Sequence, residues 1–367
     1  MHISLMVPAP FDTISGGYLY DRRMVECLRT LGHDVRVVEL QGRFPDPDQA
    51  AIDAAHAAWA ELDSGSVPLI DGLALPAFAA LAPAMVPREA VALIHHPVSQ
   101  ETGLEPEVAQ RLAALETCLF AAMPCLVTTS EQTADRLAAD FKLPRTRVQA
   151  IVPGVEDLPR SIGSAGKGCA ILAVGALIPR KGYDVLLRSL ARLTDLDWQL
   201  TIVGAADRDK VHANGLAALV EKLGIARRVR FAGELPPERM DALWMSADLF
   251  ALTSWYEGYG MALAEALRRG LPVAVTATGA APTLVPPEAG VVCAPGDVEQ
   301  LAKALRRLIF DGTLRRDFAA TAWEAGRALP SWMDQAQRLA AVLHHEARLD
   351  EARTEGGNDH AAGCHRR

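Results

Sequence analysis

The stretch that decides the fold spans residues 254–267 and reads SWYEGYGMALAEAL. It follows the apolar run Leu249–Leu252, which is predicted to be a strand, and it opens a predicted helix. Gly258 and Gly260 allow the backbone to approach a ligand closely at the turn, and the free N–H groups at the helix start suit a phosphate. The stretch therefore predicts an anion-binding site at the carboxyl end of a strand in an α/β sheet.

Two glutamates, Glu257 and Glu265, lie eight positions apart in this stretch. At about 100° per residue they fall on roughly the same side of the helix, with Glu257 at its mouth. A carboxylate that accepts hydrogen bonds through both oxygens can hold a vicinal diol such as that of a ribose. The alternative is an ordinary amphipathic helix, with Glu257 near the helix dipole and Glu265 on the solvated face.

Short apolar runs alternate with helical patterns through the rest of the chain, which is typical of βαβ units and parallel sheets. The predicted strands of the first half are Ile3–Val7, Val35–Leu40, Val67–Ile70, Val91–His95, Cys125–Thr129 and Val148–Val152. Those of the second half are Ala170–Val174, Gln199–Val203, Val229–Ala232, Leu249–Leu252, Val273–Thr276 and Gly290–Cys293. We expect an α/β protein of two doubly wound, Rossmann-like domains that face a cleft.

The domain boundary is placed between Gly154 and Lys167, where Pro, Gly and Ser are frequent and hydrophobic periodicity lapses. The predicted domains cover residues 1–158 and 159–330, and a further helix is predicted over residues 331–349. A long helical region is predicted from Val298 to Arg327. Residues 350–367 are polar and are predicted to be disordered.

The composition limits the function. The formal net charge of −8 argues against a nucleic-acid partner, which would require clustered Lys and Arg. Six cysteines without a C-x-x-C pair predict neither disulfides nor a zinc site. No secretion signal is recognised at the N-terminus, and the uncharged stretch over residues 72–87 is too short and too rich in Pro to span a membrane. We therefore expect a cytoplasmic protein that acts on small molecules.

The second half also resembles a known family. The two glutamates match the E-x7-E signature of retaining GT-B glycosyltransferases of family 4, also called glycosyl transferases group 1. The accompanying segments occur in the family's order, and they cover residues 174–182, 202–204, 229–233 and 270–273. Residues 330–332 are similar to the family's closing segment, whose helix crosses back onto the first domain. The resemblance implies a GT-B fold and transfer of a sugar from a nucleotide diphosphate sugar with retention of anomeric configuration.

The resemblance also assigns roles to residues of the second domain. The first glutamate, Glu257, is expected to contact the donor sugar, Glu265 the ribose, and Lys181 the diphosphate. A fixed cation suits a leaving diphosphate, because negative charge builds up there in the transition state. The expected donor contacts of this domain are Arg180, Lys181, Gly204, Gly233, Glu234, Glu257, Gly258, Tyr259, Gly260, Met261 and Glu265.

The first domain carries fewer signals. Gly16 and Gly17 resemble the family's glycine loop, whose backbone can approach the donor phosphates. His95 and His96 end the fourth predicted strand, and since side chains alternate along a strand, only one of them should face the substrates. His96 is the favoured catalytic candidate, and a histidine held by packing and a hydrogen bond is the alternative. Glu101 is a candidate for the acceptor site.

Two segments have the D-x-D sequence with which another glycosyltransferase fold binds a divalent metal ion. Asp46 and Asp48 lie in a Pro-rich loop, and Asp207 and Asp209 lie in a polar turn, so turn and capping roles are predicted instead. We therefore expect neither an essential metal nor a cofactor. The acceptor is left open as a small molecule, glycan or lipid. A lipid acceptor would allow peripheral membrane contact through the arginines of one predicted helix, namely Arg22, Arg23 and Arg29.

One position departs from the family. Most relatives carry an arginine directly after the strand glycine, where this chain has Ala176. Either Arg180 supplies the second cation, or it is exposed and the site has one cation only.

Two other functions also remain open on the sequence, namely a non-catalytic sugar-nucleotide-binding subunit and a nucleotide-sugar epimerase of the same fold.

Overall fold

The computed structural model describes residues 1–85, 88–101, 104–166 and 168–344. Contacts divide the chain into two units. The first contains Met1–Gly154 and residues 332–344, and the second contains Val155–Ser331. Residues 155–158, predicted at the end of the first domain, thus belong to the second unit. The predicted disordered tail, residues 350–367, lies outside the described residues.

The first unit is built on a parallel six-stranded sheet. Its strands are β1 (His2–Pro8), β2 (Asp34–Leu40), β3 (Ser66–Asp71), β4 (Val91–Ile94), β5 (Cys125–Thr128) and β6 (Val148–Ala150). Its helices are α1 (Gly16–Thr30), α2 (Gln49–Ala60), α3 (Ala82–Met85), α4 (Pro106–Ala122) and α5 (Glu131–Asp140). The strand order is β2-β1-β3-β4-β5-β6. Strands β3, β4 and β5 are buried along their whole length, as expected for a parallel sheet covered on both faces.

The second unit repeats this architecture. Its strands are β7 (Cys169–Val174), β8 (Trp198–Val203), β9 (Val229–Phe231), β10 (Leu249–Leu252), β11 (Val273–Thr276) and β12 (Gly290–Cys293). Its helices are α6 (Tyr183–Leu190), α7 (Lys210–Lys222), α8 (Pro237–Ser246), α9 (Met261–Arg268), α10 (Ala281–Leu284), α11 (Val298–Phe310) and α12 (Gly312–Arg327). The order β12-β11-β10-β7-β8-β9 reverses direction between β7 and β10. Ligands of open α/β sheets bind at such a reversal.

A final helix over residues 332–344 packs with the first unit. The ring of Trp332 lies edge-on to Tyr20, with centroids 5.8 Å apart. The Tyr20 hydroxyl donates to the Ile151 carbonyl at 2.8 Å, and Arg338 donates to the Ala150 carbonyl at 3.2 Å. These contacts join the helix to α1 and to the end of β6.

All twelve predicted strands are present in the described part of the chain. The predicted helical region from Val298 to Arg327, however, is two helices rather than one. Asp311 leaves the helical conformation, and its carboxylate accepts from the N–H groups of Thr313 and Leu314 at 3.0 and 2.9 Å. An aspartate that caps the second helix therefore ends the first.

The loops after β7 and β8 approach each other very closely. The Gly204 N–H donates to the Gly233 carbonyl at 2.9 Å, which joins the ends of β8 and β9. A Cβ atom at Gly204 would lie 2.0 Å from the Gly175 carbonyl oxygen, which follows β7. Only glycine fits here, because the obstructing atom belongs to the backbone and cannot rotate away.

Gly204→Ala is expected to destabilise the protein by about 3 kcal/mol, because the added methyl group forces the ends of β7 and β8 apart. Urea unfolding at neutral pH measures the effect. Gly215→Ala is the matched control, since a Cβ at this α7 position meets no atom within 4 Å. It should be neutral or stabilising by up to about 1 kcal/mol. Equal effects of the two substitutions would contradict the close approach.

Candidate functional site

A buried ion pair lies at the strand-order reversal of the second unit. Lys181 follows β7 and Glu257 follows β10, and the Lys181 Nζ donates to Glu257 Oε1 at 2.6 Å. The Ser254 hydroxyl donates to the same oxygen at 2.5 Å. Because β7 and β10 are neighbours, residues 76 positions apart in sequence meet at one edge of the sheet.

Arg180 joins this pair. Its Nη1 donates to the Tyr256 carbonyl at 2.8 Å and lies 3.7 Å from Glu257 Oε2. Its side chain is only 19% exposed, so the alternative of a solvent-exposed Arg180 is wrong. Two cations and one carboxylate thus meet at this edge, which leaves one net positive charge in a largely buried environment.

The two cations keep Glu257 ionised. Burial works to raise the pKa of this carboxyl, but the charges of Lys181 and Arg180, with the hydrogen bonds from Lys181 and Ser254, outweigh burial and hold the pKa below its usual value. Glu257 is therefore a carboxylate at neutral pH and accepts hydrogen bonds only. Such a group can accept from sugar hydroxyls, and the adjacent cations can bind an anion.

Glu265 lies on α9, about one turn beyond Met261, whereas Glu257 precedes the helix. Its Oε1 is 3.4 Å from Nη2 of Arg269, and its side chain is 36% exposed. Glu265 is therefore not on a fully solvated face, which the alternative of an ordinary amphipathic helix required. Its partner is Arg269. Burial raises the pKa of Glu265, while the charge of Arg269 opposes that rise.

The remaining predicted donor residues of this unit form its loops. Gly258 and Met261 are partly buried, while Tyr259 and Gly260 are buried beside the first turn of α9. Gly204 follows β8 and Gly233 lies just beyond β9, and the two are joined by their hydrogen bond, whereas Glu234 is exposed. All of them follow the carboxyl ends of parallel strands.

The first unit has its own buried charge cluster. His95 follows β4, and its Nε2 lies 3.1 Å from Asp21 Oδ1 on α1 and 3.4 Å from Asp71 Oδ2 at the end of β3. Burial works to lower the pKa of His95, but the two carboxylates outweigh it and raise this pKa well above the usual range, so His95 is an imidazolium. The three ligand atoms lie close enough together for a metal ion, and with His95 as an imidazolium the cluster has one positive charge beside two carboxylates.

Gly17 lies against this imidazole. A Cβ at Gly17 would be 3.1 Å from His95 Cδ2, whereas a Cβ at Gly16 would meet no atom within 4 Å. The two glycines form the first turn of α1, which Ser15 caps by accepting from the Tyr18 N–H at 3.2 Å. The glycine pair thus brings α1 close to the end of β4.

His96 faces a different partner, as the alternation of side chains predicts. Its Nε2 lies 2.6 Å from Glu101 Oε2, and both side chains are partly exposed. The turn between them is held by the buried Glu116 of α4, which accepts from the N–H groups of Val98 and Ser99 at 2.6 and 3.2 Å. His96 and Glu101 thus form an accessible acid–base pair beside the buried one.

Several other predicted residues have structural roles. Asp48 and Asp209 cap α2 and α7, as the capping prediction for the D-x-D segments stated. Arg22 donates to the carbonyls of Phe11 and Thr13, and Arg29 donates to that of Val35. These hydrogen bonds leave the guanidinium groups charged, and Arg29 is exposed, so membrane contact through α1 stays a prediction. Within the described residues, no helix combines the length and apolar character that crossing a membrane requires.

Sequence inspection missed four residues of these sites, namely Asp21, Asp71, Ser254 and Arg269. Asp71 had a local signal, because it directly follows the apolar run of β3 at the carboxyl end of a strand. Arg269 had one too, since it lies four positions after Glu265 on a helix. Asp21 had no such signal, because its contact with His95 depends on the order of the strands.

The second unit matches a known family. Residues 155–324 match the family model described as "Glycosyl transferases group 1". The D-inositol 3-phosphate glycosyltransferase of Corynebacterium diphtheriae is 30% identical over 232 residues, which cover 61% of this chain and 54% of that protein. The MMP alpha-(1->4)-mannosyltransferase of Mycolicibacterium hassiacum is 27% identical, over 69% of this chain and 64% of that protein. The matched part therefore spans less than two thirds of either relative.

Solved structures confirm the predicted GT-B architecture. The sucrose-phosphate synthase of Thermosynechococcus elongatus superposes with a TM-score of 0.80 at 21% identity, covering 94% of this chain and 98% of that chain. Anabaena HepE in complex with UDP-glucose superposes with a TM-score of 0.72 at 18% identity, covering 94% of this chain and 100% of that chain. At these identities the likeness is one of fold.

Lys181→Met is expected to cost about 3 kcal/mol of unfolding free energy at pH 7.5, because it leaves Glu257 buried with less compensating charge. The wild-type contribution of Glu257 is complete above the ordinary carboxyl pKa and is lost as pH falls through its lowered value. In the variant that pKa rises, so the deficit should shrink at pH 5, where protonation relieves the buried charge. Urea unfolding at both pH values measures it.

Lys303→Met is the control for this experiment. Lys303 pairs with Glu299 at 2.9 Å, but both side chains are mostly exposed. Its removal should leave stability unchanged at either pH, since exposed pairs contribute little. A Lys181→Met deficit of the same size at pH 5 and pH 7.5 would show that Glu257 is not the group that Lys181 compensates.

Proposed function

We propose that this chain, which belongs to the glycosyl transferases group 1 family, moves a sugar from a nucleotide diphosphate sugar to an acceptor with retention and without a metal ion. One observation carries the proposal. Lys181, Arg180 and Glu257 meet at the strand-order reversal with one net positive charge beside a carboxylate. A nucleotide diphosphate sugar presents the complementary groups, an anionic diphosphate next to sugar hydroxyls.

The residues divide this work as follows. Lys181 and Arg180, with the N–H groups at the start of α9, stabilise the charge that develops on the diphosphate when its bond to the anomeric carbon breaks. Glu257 accepts hydrogen bonds from the sugar, and Glu265 accepts them from the ribose. The loops at Gly204, Gly233 and Glu234 contact the nucleobase of the donor.

Retention is explained by attack on the face that the diphosphate leaves. The acceptor oxygen bonds to the anomeric carbon while the bond to the diphosphate breaks, and the acceptor proton passes to a leaving phosphate oxygen. Double displacement is disfavoured because the carboxylate nearest the proposed sugar, Glu257, is engaged by Lys181 and Ser254.

The first unit supplies the acceptor side in this proposal. His96 and Glu101 are partly exposed and 2.6 Å apart, so they can accept from an acceptor hydroxyl, while Gly16 and Gly17 let a donor phosphate approach α1. Sugar and polyol phosphates are the first acceptors to test. One relative is named a D-inositol 3-phosphate glycosyltransferase, and another, from Agrobacterium fabrum, is named a mannosylfructose-phosphate synthase.

A thermal-shift screen with UDP, GDP and ADP tests the proposal, followed by assays with the matching sugar nucleotides. One nucleotide should stabilise the protein by about 2.7 kcal/mol at a hundredfold excess over its dissociation constant. Slow donor hydrolysis without acceptor should persist in excess EDTA, and the product anomer should match the donor by NMR. Loss in EDTA that magnesium or manganese restores would refute metal independence, and binding without turnover would identify a non-catalytic subunit.

The role of Arg180 is tested by the steady-state kinetics of Arg180→Ala beside Lys181→Ala. A charge-assisted contact to the developing diphosphate contributes about 1.5 to 3 kcal/mol, so each variant should lose roughly ten- to a hundredfold in kcat. Arg188→Ala is the control, because Arg188 lies on the adjacent α6 with its side chain 52% exposed. If Arg180→Ala turns over like the wild type while Lys181→Ala collapses, Arg180 has no phosphate role despite Ala176.

A further inference from the structure

A buried arginine lies directly beside the proposed ribose carboxylate. Arg269 follows the last residue of α9 and is 1% exposed. Its Nη2 donates to Asp241 of α8 and lies 3.4 Å from Glu265 Oε1. The guanidinium carbon lies 5.7 Å from the centroid of the Trp244 ring, a cation–π contact. One nitrogen of Arg269 therefore serves two carboxylates in a low-dielectric environment.

The burial of Arg269 is unfavourable for the stability of the fold. Among the described residues, Nε and Nη1 of Arg269 have no hydrogen-bond partner. Burying unmet donors of a charged group is unfavourable, and a cation–π contact offsets only part of that cost. An arginine whose only role was to stabilise the fold would be expected to use these donors in hydrogen bonds to carbonyl groups.

The neighbouring Arg268, in contrast, uses its donors in hydrogen bonds to carbonyl groups. Arg268 donates to the carbonyls of Glu156 and Gly326 and to the Asp157 carboxylate at 3.2, 3.4 and 2.7 Å. It thereby holds the start of the second unit and the end of α12 against α9. Arg269 makes no such side-chain contact to a carbonyl within the described chain, and its polar contacts go to carboxylates.

We propose that Arg269 is a positioning residue that keeps the Glu265 carboxylate ionised and oriented to accept the two hydroxyls of the donor ribose. The inference rests on the proposed function, since it deepens the role given there to Glu265. Arg269 does not touch the nucleotide in this proposal. It acts through Glu265, because a fixed cation at Oε1 restricts the rotation of the carboxylate and favours its charged form.

Three influences on Glu265 determine the pH dependence of this effect. Burial and the nearby Asp241 raise the pKa of Glu265, whereas Arg269 lowers it. No charged side chain of α12, which also packs on α9, acts on Glu265 in the described chain. Removing Arg269 therefore leaves two influences that both favour the protonated form, and removing the Asp241 charge has the opposite effect.

The test is a calorimetric titration between pH 5 and 8 with UDP, GDP and ADP, each beside its 2′-deoxy counterpart. For the ribonucleotide that binds, Arg269→Met should move the pH midpoint of binding up by about one unit, and it should therefore lower affinity about tenfold at pH 5 and less at pH 8. Arg269→Lys should restore part of both, and Asp241→Asn should move the midpoint down. Affinity for the 2′-deoxy nucleotide should respond much less to these substitutions.

Arg268→Met is the matched control, because it removes a neighbouring arginine that serves structure and should leave the midpoint unchanged. If Arg269→Met does not fold, Arg269→Lys and Asp241→Asn still report the midpoint. Wild-type midpoints in these variants would overturn the role of Arg269 while the proposed function stands. A wild-type protein that does not distinguish ribose from 2′-deoxyribose, or that binds none of the nucleotides, would instead overturn the role of Glu265 in the proposed function.

Discussion

The buried contact between Lys181 and Glu257 is the interaction on which the second unit's site depends. It can form only because β7 and β10 are neighbours, which the reversal of strand order imposes. Each charge stabilises the other in its buried position, since an isolated buried charge would cost several kcal/mol. The same contact fixes the loops after both strands, so the positions of Arg180, Ser254 and the start of α9 follow from it.

The fold could be predicted from the sequence because its signals are local. Strands that are buried on both faces leave continuous apolar runs, and every predicted strand corresponds to one in the structure. The predicted helical region from Val298 to Arg327 is present, but its division into two helices was not predicted. The helical pattern of α11 runs directly into that of α12, and the break is marked by Asp311 and the following Gly312.

The site was predictable only where its residues are close in sequence or belong to a family motif. The spacing of Glu257 and Glu265 and the segment around Lys181 indicated a phosphate and sugar site. The Asp21, His95 and Asp71 cluster was not predictable, because three elements contribute one residue each and only the strand order brings them together. For His95 and His96 the sequence indicated only that one of them faces the substrates, with His96 favoured, whereas the structure encloses His95 between carboxylates and pairs His96 with Glu101.

The charges of the two clusters suit different ligands. In the second unit two cations face one carboxylate, so this cluster attracts an anion and suits the diphosphate of the proposed donor. In the first unit one imidazolium faces two carboxylates, so the cation at the ends of β3 and β4 is already matched. A phosphate gains little electrostatic stabilisation there, whereas a hydroxyl can donate to a carboxylate without such a cost. The electrostatics of the Asp21, His95 and Asp71 cluster therefore favour a hydroxyl beside it, and a phosphate that approaches α1 would rely on the N–H groups at the start of that helix instead.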